Sequence, residues 1–346
     1  MMEQKIYTKI VYNPTEDDLV EATKLIQDGK LVAIPTETVY GLGVNALIPD
    51  APPKVYAAKD RPSDNPLIIH LAAPDDAERY AVTCEAYYRL AKAFMPGPLT
   101  VILPKKECIP SSVTGGLSSV AIRVPSHPIA HRLIELSGVP IAAPSANRSG
   151  RPSTTTVEHV IEDMDGRVDM ILDGGPSDIG LESTIVLPQG ENKLCLLRPG
   201  AITVEMLEEE GFFVSLDKAV TELLQPGEQP LAPGMKYRHY APNARVILLS
   251  GSREAIQSAM EPYRDQSNVA LLCYADDTVA SANNARILGA FDREDEQAKN
   301  LFDLLRSFDS RPEISRIYAP LPDRKGIGLA LFNRMLKAAG YEIQEV

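Results

Sequence analysis

The sequence predicts an α/β fold in two domains, the second of which is built on a small parallel sheet. Short apolar runs of strand length alternate along the 346-residue chain with segments whose apolar residues recur at helical spacing. In the first part of the chain several apolar runs follow one another too closely for helical crossovers, which indicates a mixed sheet. Toward the end, strand and helix patterns alternate regularly, as in a βαβ domain with parallel strands.

The first domain is predicted over residues 1–212. It opens with the helical pattern EDDLVEATKLIQDGK, which stops at Gly29, and continues with LVAIP as a short buried strand. Further strands are predicted at PLIIHLA, LTVILP, SVAIRVP, VPIAAP and DMILDGG, and further helices at EAYYRLAKAFM and HPIAHRLIELSG. The domain ends near the segment AITVEMLEEEGF.

Residues 213–243 lose this periodicity and are predicted to form a linker. Four prolines and two glycines interrupt regular structure in this stretch. It also carries the run KYRHY (residues 236–240), which is too cationic and aromatic for a passive spacer. We therefore predict that the linker folds back over the first domain as a lid.

The second domain is predicted over residues 244–346. Four apolar runs indicate strands, and three amphipathic segments between or after them indicate helices. The strand patterns are ARVILLSG, NVALLCYA, ARILGAF and ISRIYAPLP, and the helical ones are SREAIQSAMEPYR, EDEQAKNLFDLLRSF and GIGLALFNRMLKAAG.

The charge distribution favours a small anionic ligand. A formal net charge of −12 opposes bulk binding to nucleic acid, which depends on basic surface. The cations nevertheless concentrate in turns rich in proline, glycine and serine, whereas many acids lie on predicted helices. Four scattered cysteines without a CxxC pair suggest neither a zinc ribbon nor a disulfide framework. No apolar stretch reaches membrane-spanning length and no signal-peptide pattern is visible, so we expect a cytoplasmic protein.

Several local motifs have competing interpretations. Residues 41–46 mimic the dinucleotide fingerprint, but other residues separate them from the preceding strand, which disfavours a nicotinamide site. Thr36 and Thr38 at a strand end could bind a ligand or could equally form a local turn. His127 and His131 lie one helical turn apart, yet they lack an evident third metal ligand. The chain has neither a Walker phosphate loop nor a G-x-S-x-G nucleophile elbow.

Polar loops follow several of the predicted strands of the first domain. Residues 143–153 combine small residues with hydroxyl, amide and guanidinium groups, and the segment 174–184 adds Gly174, Gly175, Ser183 and Thr184. Arg198 stands at the end of another predicted strand. Because ligands of α/β sheets bind in crevices at strand ends, these loops predict a shared ligand crevice.

The motifs in combination resemble the YrdC family of threonylcarbamoyl-adenylate synthases. PTETVYGLG, KDRPSDNPL, MPGPLT, APSAN, ESTI and LLRPG occur in the family's order across residues 5–210. LAPGMKYRHYAP and the domain after it are similar to the long, two-domain form. The resemblance implies an open, twisted YrdC-like sheet with a concave active site, followed by a small Rossmann-like domain.

The resemblance also implies a reaction. A nucleotidyltransferase of this family converts L-threonine, bicarbonate and ATP into L-threonylcarbamoyl-adenylate and pyrophosphate. The product feeds N6-threonylcarbamoylation of tRNA through downstream threonylcarbamoyl-transferase proteins, so contact with tRNA is expected to be indirect, and no membrane partner is expected. Mg²⁺ is expected to be held through the ATP phosphates, without direct protein ligands.

The family's site residues carry over to this sequence by motif. Two cations, Lys59 and Arg61, take the catalytic position beside the triphosphate. The full ATP set is Lys59, Arg61, Asn65, Ser119, Ser145, Asn147, Ser153, Arg198 and Tyr240, the last of which lies in the predicted lid. The threonine set is Thr36, His70, Arg123, Ala143 and Ser183.

Two other functions remain open on the sequence. One is a non-catalytic RNA-binding module, although the acidic charge and the absence of interleaved basic and aromatic residues weigh against it. The other is a different ATP-dependent adenylating or carbamoylating enzyme on the same fold, since one fold hosts several chemistries.

Overall fold

The computed structural model describes residues 6–63, 65–223, 228, 230–234 and 240–346. The chain divides into two compact units. The first comprises Met1–Ser149, Ser153–Asp178 and Glu182–Lys236, and the second comprises Gly150–Pro152, Ile179–Leu181 and Tyr237–Val346.

The first unit is built on a mixed sheet that has eleven strands within the described residues. Its spatial order is β1-β8-β2-β3-β7-β4-β6-β5-β9-β10-β11. The strands are β1 (Lys9–Tyr12), β2 (Val32–Ile34), β3 (Gly41–Asn45), β4 (Ile68–His70), β5 (Leu99–Pro104), β6 (Ser119–Arg123), β7 (Ile141–Ala143), β8 (Met170–Asp173), β9 (Thr184–Pro188), β10 (Lys193–Arg198) and β11 (Phe213–Leu216). The α/β fold with a large sheet, predicted from the sequence, is confirmed.

Helices of the first unit pack their apolar faces on this sheet. They are α1 (Glu16–Gln27), α2 (Pro52–Ala58), α3 (Glu85–Phe94), α4 (Ser111–Thr114), α5 (Pro128–Ser137), α6 (Val157–Met164) and α7 (Val204–Glu209). Helix α1 shows why the sequence folds this way locally. Thr15 and Asp18 form a capping box at its start, and its apolar stripe enters a core shared with β2 and α5.

The structure places a strand within the range that the sequence predicts as a linker. Residues 213–216 form β11, which pairs in parallel with β10 at the edge of the sheet. Its side chains are largely exposed, so the alternation of apolar and polar residues that reveals a half-buried strand is missing. A short 3₁₀ turn, Lys218–Val220, follows it. Most of the predicted lid run, residues 235–239, lies outside the described residues.

The second unit has a parallel sheet with the order β14-β13-β15-β12-β16. Its strands are β12 (Arg245–Ser250), β13 (Val269–Cys273), β14 (Ala285–Ile287), β15 (Arg316–Pro320) and β16 (Ile343–Glu345). The helices are α8 (Arg253–Met260), α9 (Glu294–Ser307) and α10 (Gly328–Ala338). The predicted small parallel-sheet domain is confirmed, and β16 is an added edge strand whose three residues are exposed. No helix in the described part of the chain is long and apolar enough to cross a membrane.

Candidate active site

Strand register aligns three polar side chains across the middle of the first sheet. His70 on β4 pairs with Arg123 on β6, and Thr100 on β5 pairs with Arg123 from the other side. Residues directly opposite one another on neighbouring strands share a face, so the three side chains form one row. Ser183 extends the row, because its Oγ lies 2.7 Å from the Thr100 Oγ1. Three residues of the predicted threonine set are therefore neighbours.

A buried ion pair stands in this row. Arg123 Nη2 lies 2.7 Å from Glu37 Oε1, and the two side chains are only 5% and 8% exposed. Burial by itself raises the pKa of Glu37, but the Arg123 guanidinium and nearby backbone N–H groups outweigh it and hold the pKa below its usual value. The Glu37 carboxylate is therefore ionised and faces a cation.

His70 is a neutral imidazole beside this pair. Burial and the Arg123 charge lower the pKa of His70 to about 3. Its Nδ1 lies 3.3 Å from the carbonyl oxygen of Ile141 on β7. A neutral ring at this position contacts a ligand by shape and hydrogen bonding without adding charge.

The two remaining residues of the predicted threonine set are Ala143, which lies in the sheet, and Thr36, which lies in a turn. Ala143 pairs with Ile68 on β4, one row below His70, and is 3% exposed. Thr36 Oγ1 donates to the carbonyl oxygen of Val39 at 2.5 Å and accepts from the amides of Thr38 and Val39. Thr36 therefore forms a local turn, one of the two roles considered for it above, and its hydroxyl hydrogen points at the carbonyl oxygen of Val39.

Arg198 joins the two predicted subsites. This predicted ATP residue is 5% exposed and donates from Nε to the Ser183 carbonyl oxygen at 3.0 Å. Its Nη2 also donates to Ser183 Oγ at 3.1 Å, and its Nη1 donates to the carbonyl oxygen of Pro233 at 3.3 Å. The bulge in the β9–β10 pairing lies between Leu196 and Arg198, where it turns the end of β10.

Lys59 is packed into the loop that carries Ser145 and Asn147. Its ammonium donates to the carbonyl oxygens of both residues and lies 3.4 Å from Asn147 Oδ1, and Lys59 is only 2% exposed. Ser145 Oγ in turn donates to Asn147 Oδ1 at 2.5 Å. Lys59 of the K-x-R motif and the S-x-N residues, far apart in sequence, therefore form one hydrogen-bonded loop unit at the ends of α2 and β7.

Asp60 anchors the same loop from its outer side. It adopts a left-handed φ of 53°, which aspartate tolerates better than most residues. Its carboxylate pairs with Arg148 at 2.8 Å and with Arg167 at 3.1 Å. These ion pairs orient the neighbouring Lys59 and Arg61.

Arg61 and Asn65 flank the loop after α2. The guanidinium carbon of Arg61 lies 5.8 Å from the centroid of the Tyr56 ring, within cation–π distance. The Asn65 side chain is fully buried, and neither its Nδ2 nor its Oδ1 has a hydrogen-bond partner among the described residues. A buried amide without partners is rare, so Asn65 points to a ligand.

An apolar surface connects the polar row with Ser119. Ile68, Ala121 and Ile102 occupy the row below His70, Arg123 and Thr100, and they belong to one buried cluster. Along β6, Arg123 and Ser119 are four residues apart, roughly 13 Å. Ser119 lines a cavity of about 500 Å³ whose other walls are mostly apolar. Its lining includes Val82, Ala86, Ile102, Leu103 and Leu187.

Ser153 and Tyr240 complete the predicted ATP set. Ser153 Oγ donates to Glu182 Oε1 at 2.5 Å within the first unit. Tyr240 belongs to the second unit, where it is 4% exposed and stacks on Phe302 with ring centroids 5.1 Å apart. The Arg334 guanidinium carbon lies 5.6 Å from the Tyr240 ring. In this structure Tyr240 is therefore a packing residue of the second unit.

Glu37 and Thr100 are site residues that sequence reasoning did not single out. Both motifs that contain them, PTET and PGPLT, are visible in the sequence. An acid between two threonines at a strand end, in a crevice otherwise rich in cations, is the signal that could have identified Glu37. Among the described residues, no group of three or more His, Cys, Asp or Glu side chains is placed to hold a metal ion.

Comparison with known proteins assigns both parts of the chain. The family model Sua5/YciO/YrdC, described as "Telomere recombination", matches residues 24–200. The model described as "Threonylcarbamoyl-AMP synthase, C-terminal domain" matches residues 202–340.

Individual relatives match over nearly the whole chain. Threonylcarbamoyl-AMP synthase of Bacillus subtilis strain 168 is 45% identical over 94% of this chain and 94% of its own length. The protein of the same name from Pyrococcus abyssi is 44% identical over 94% and 95%. The crystal structure of P. abyssi Sua5 complexed with L-threonine has a TM-score of 0.87 and 43% identity, over 98% of this chain and 99% of that one. The chain therefore belongs to the Sua5/YciO/YrdC family, in its long form with two domains.

Proposed function

We propose that the protein is a threonylcarbamoyl-AMP synthase, which makes L-threonylcarbamoyl-adenylate and pyrophosphate from L-threonine, bicarbonate and ATP. The observation that carries the proposal is the buried row in which Arg123, His70 and Ser183 meet. Ala143 on β7, which pairs with Ile68 beside this row, leads into the loop that carries Ser145 and Asn147. The relatives' names and the L-threonine complex of the P. abyssi protein support the same function.

The amino acid is proposed to bind at the polar row. A guanidinium takes a carboxylate in a bidentate pair, so Arg123 would hold the α-carboxylate of L-threonine. The neutral His70, the small Ala143 and the Ser183 hydroxyl would enclose the rest of the molecule. Thr36 would contribute through the turn that it stabilises, since its hydroxyl already donates to Val39.

ATP is proposed to lie along the sheet face from the loop unit toward Ser119. The cavity beside Ser119 is apolar enough for a purine base. Asn65, with an amide that has no partner among the described residues, would hydrogen-bond to the nucleotide. Arg61 would meet the phosphates directly, with Ser145, Asn147, Ser153 and Arg198 around it. We propose that the lid run closes over the nucleotide, for which Tyr240 would leave its stacking contact with Phe302.

The chemistry needs no covalent protein intermediate. The threonine amine reacts with bicarbonate or CO₂ to form a carbamate, and a carbamate oxygen attacks the α-phosphorus of ATP. The α-phosphorus–oxygen bond to the leaving pyrophosphate breaks, which classes the enzyme as a nucleotidyltransferase. Fixed cations stabilise the charge that builds on the leaving group. Mg²⁺ held by phosphate oxygens would add to this stabilisation.

The product is proposed to pass to tRNA-modifying threonylcarbamoyl-transferase proteins in the cytoplasm. An acyl-adenylate of this kind hydrolyses readily in water, so a partner or a closing lid would protect it.

The proposal is tested by the substrate dependence of pyrophosphate release. Purified protein is given ATP and Mg²⁺ with L-threonine, with bicarbonate, with both or with neither. We expect pyrophosphate release only when L-threonine and bicarbonate are both present. Release with L-threonine alone would instead indicate a simple amino-acid adenylating enzyme, and no release under any condition would contradict the proposal.

A further inference from the structure

Glu37 and Arg123 form an incompletely satisfied pair in the predicted threonine pocket. Their charged groups touch at 2.7 Å and backbone N–H groups of Glu37 and Ser126 lie near the carboxylate, yet neither oxygen of Glu37 nor Arg123 Nη2 makes a regularly aligned hydrogen bond with a described residue. Both side chains are almost fully buried. Because buried polar groups in native proteins are nearly always hydrogen-bonded, these atoms are placed for a ligand that supplies the missing partners.

The groups around this pair are neutral side chains and one further cation. His70 is neutral, and Ser183 and Thr100 contribute hydroxyl groups. His127 lies nearby, and burial lowers its pKa, which favours the neutral ring. Arg198 reaches the same row through its hydrogen bond to Ser183 Oγ. Glu37 therefore places a negative group beside two guanidinium groups in a buried pocket, where its interaction with a ligand cation is strong.

A free α-amino acid has the complementary charges. Its carboxylate and its ammonium are attached to the same carbon, so they can reach two protein groups that are themselves in contact. In the substrate-free site Glu37 and Arg123 partner each other. When the amino acid enters, one ion pair is replaced by two, and the open hydrogen-bonding positions are filled.

We propose that Glu37 binds the α-ammonium group of the amino-acid substrate and so selects α-amino acids over analogues without the amine. This inference rests on the proposed function, since it takes L-threonine as the ligand. It also gives Glu37 a task in orientation, because it holds the nitrogen beside Arg123 until the ammonium passes a proton to bicarbonate, which then releases water and CO₂, and the free amine adds to that CO₂ to give the carbamate and a proton.

The competing role for Glu37 is purely structural: it could only hold the Arg123 side chain in place. In that case its loss would lower the affinity of every ligand that contacts Arg123 by a similar factor. If Glu37 contacts the ammonium, loss of Glu37 lowers the affinity only of ligands that carry an ammonium group. Binding of two matched ligands therefore separates the two roles.

The test compares L-threonine with (R)-3-hydroxybutanoate, which is the same molecule without the amine. Dissociation constants for the full-length protein are measured by calorimetry for the first ligand and by NMR titration for the second. The wild-type protein should bind L-threonine at least about tenfold more tightly. In Glu37→Gln, which keeps the side-chain shape, L-threonine should bind about 10- to 100-fold more weakly. The affinity for (R)-3-hydroxybutanoate should stay the same or rise, because Arg123 loses a competing carboxylate.

Two variants serve as controls. Glu16→Gln makes the same change in an exposed ion pair with Arg132 and should leave both affinities unchanged. Arg123→Ala should lower the affinity for both ligands.

The inference is overturned if Glu37→Gln lowers the affinity for the two ligands equally or lowers neither affinity. Equal binding of the two ligands to the wild-type protein overturns it as well, and that measurement does not depend on whether the variant folds. If the wild-type protein binds L-threonine and releases pyrophosphate while Glu37→Gln lowers the affinity for both ligands equally or for neither, only the role of Glu37 falls. If the wild-type protein neither binds L-threonine nor releases pyrophosphate with it, the proposed function falls too.

Discussion

At the scale of single residues, Lys59 and Arg61 have different structural tasks although they share one motif. The Lys59 ammonium is buried against three oxygen atoms of the loop that carries Ser145 and Asn147. An ammonium has three donors, so these contacts match its full capacity. Arg61 is half-buried beside the Tyr56 ring. We infer that Lys59 shapes the phosphate loop, while Arg61 supplies charge directly to the nucleotide.

Alanine substitution should separate these two tasks. Both Lys59→Ala and Arg61→Ala should lower turnover by roughly 10²-fold, the usual cost of one lost transition-state contact. Lys59→Ala should also lower the thermal midpoint of unfolding, because it leaves buried carbonyl oxygens without a donor. Arg61→Ala should leave the midpoint nearly unchanged. The measurement is a thermal melt beside pyrophosphate release, and equal midpoints for the two variants would contradict the division of tasks.

The site residues themselves were predictable only in part. Arg123, His70, Ser183 and the K-x-R and S-x-N motifs could be found by their motifs, because residue type and order along the chain survive in the sequence. That Lys59 donates to the backbone of Ser145 and Asn147 could not be predicted, since it depends on the approach of two loops about 86 residues apart. Glu37 was missed because its importance comes from an ion pair with Arg123, a residue 86 positions further along the chain, which no local pattern encodes.

At the scale of elements, the positions of the strands along the chain were more predictable than their pairing in the sheet. Apolar runs revealed β4 to β8 because these strands are buried on both faces, and burial leaves a clear pattern. The order of strands, in which β7 lies between β3 and β4, follows from long-range pairing that no local pattern encodes. Strand β11 was hidden because its side chains face solvent.

The described part of the linker lies on the ligand-binding sheet of the first unit. Ala232 is fully buried in the apolar cluster that contains Ile68 and Ala121, and the Pro233 carbonyl accepts from Arg198. These contacts support the prediction that the linker folds back over the crevice.

A charge placed at Ala232 should detach this segment. Ala232→Asp would bury a carboxylate in an apolar cluster, so the segment should leave the sheet. The affinity for ATP should then fall by about tenfold or more, since Arg198 also loses its contact with Pro233. Leu231→Asp is the matched control, because the neighbouring Leu231 is 37% exposed. Calorimetric ATP titrations that show the same affinity in both variants would argue against a lid anchored at Ala232.

At the scale of the whole molecule, the chain is acidic, but the cations of the predicted site all lie in the first unit. A net charge of −12 disfavours bulk binding to nucleic acid, whereas we propose that Lys59, Arg61, Arg123 and Arg198 provide local positive charge for a small anion. The second unit adds a parallel sheet that the sequence predicted well, because its strands and helices alternate in short, regular steps.

Stability should depend on pH through His70. Its pKa is about 3 in the folded protein, against roughly 6.5 in an unfolded chain. Between these values the unfolded chain binds a proton that the folded protein does not, so the free energy of unfolding should fall as the pH drops below about 6.5. The urea midpoint of the wild-type protein should decrease more from pH 7 to pH 5 than that of His70→Gln. Parallel decreases in the two proteins would show that His70 is not buried as a neutral ring.

The central claim is that this protein joins threonine, bicarbonate and ATP into one molecule. Its most direct test is mass spectrometry of the nucleotide products after incubation with L-threonine, ATP, Mg²⁺ and ¹³C-labelled bicarbonate. The account predicts an adenylate that contains one threonine and one ¹³C atom, formed in equal amount to pyrophosphate and absent when any substrate is omitted. A nucleotide product without the labelled carbon, or hydrolysis of ATP with no threonine-containing adenylate, would contradict it.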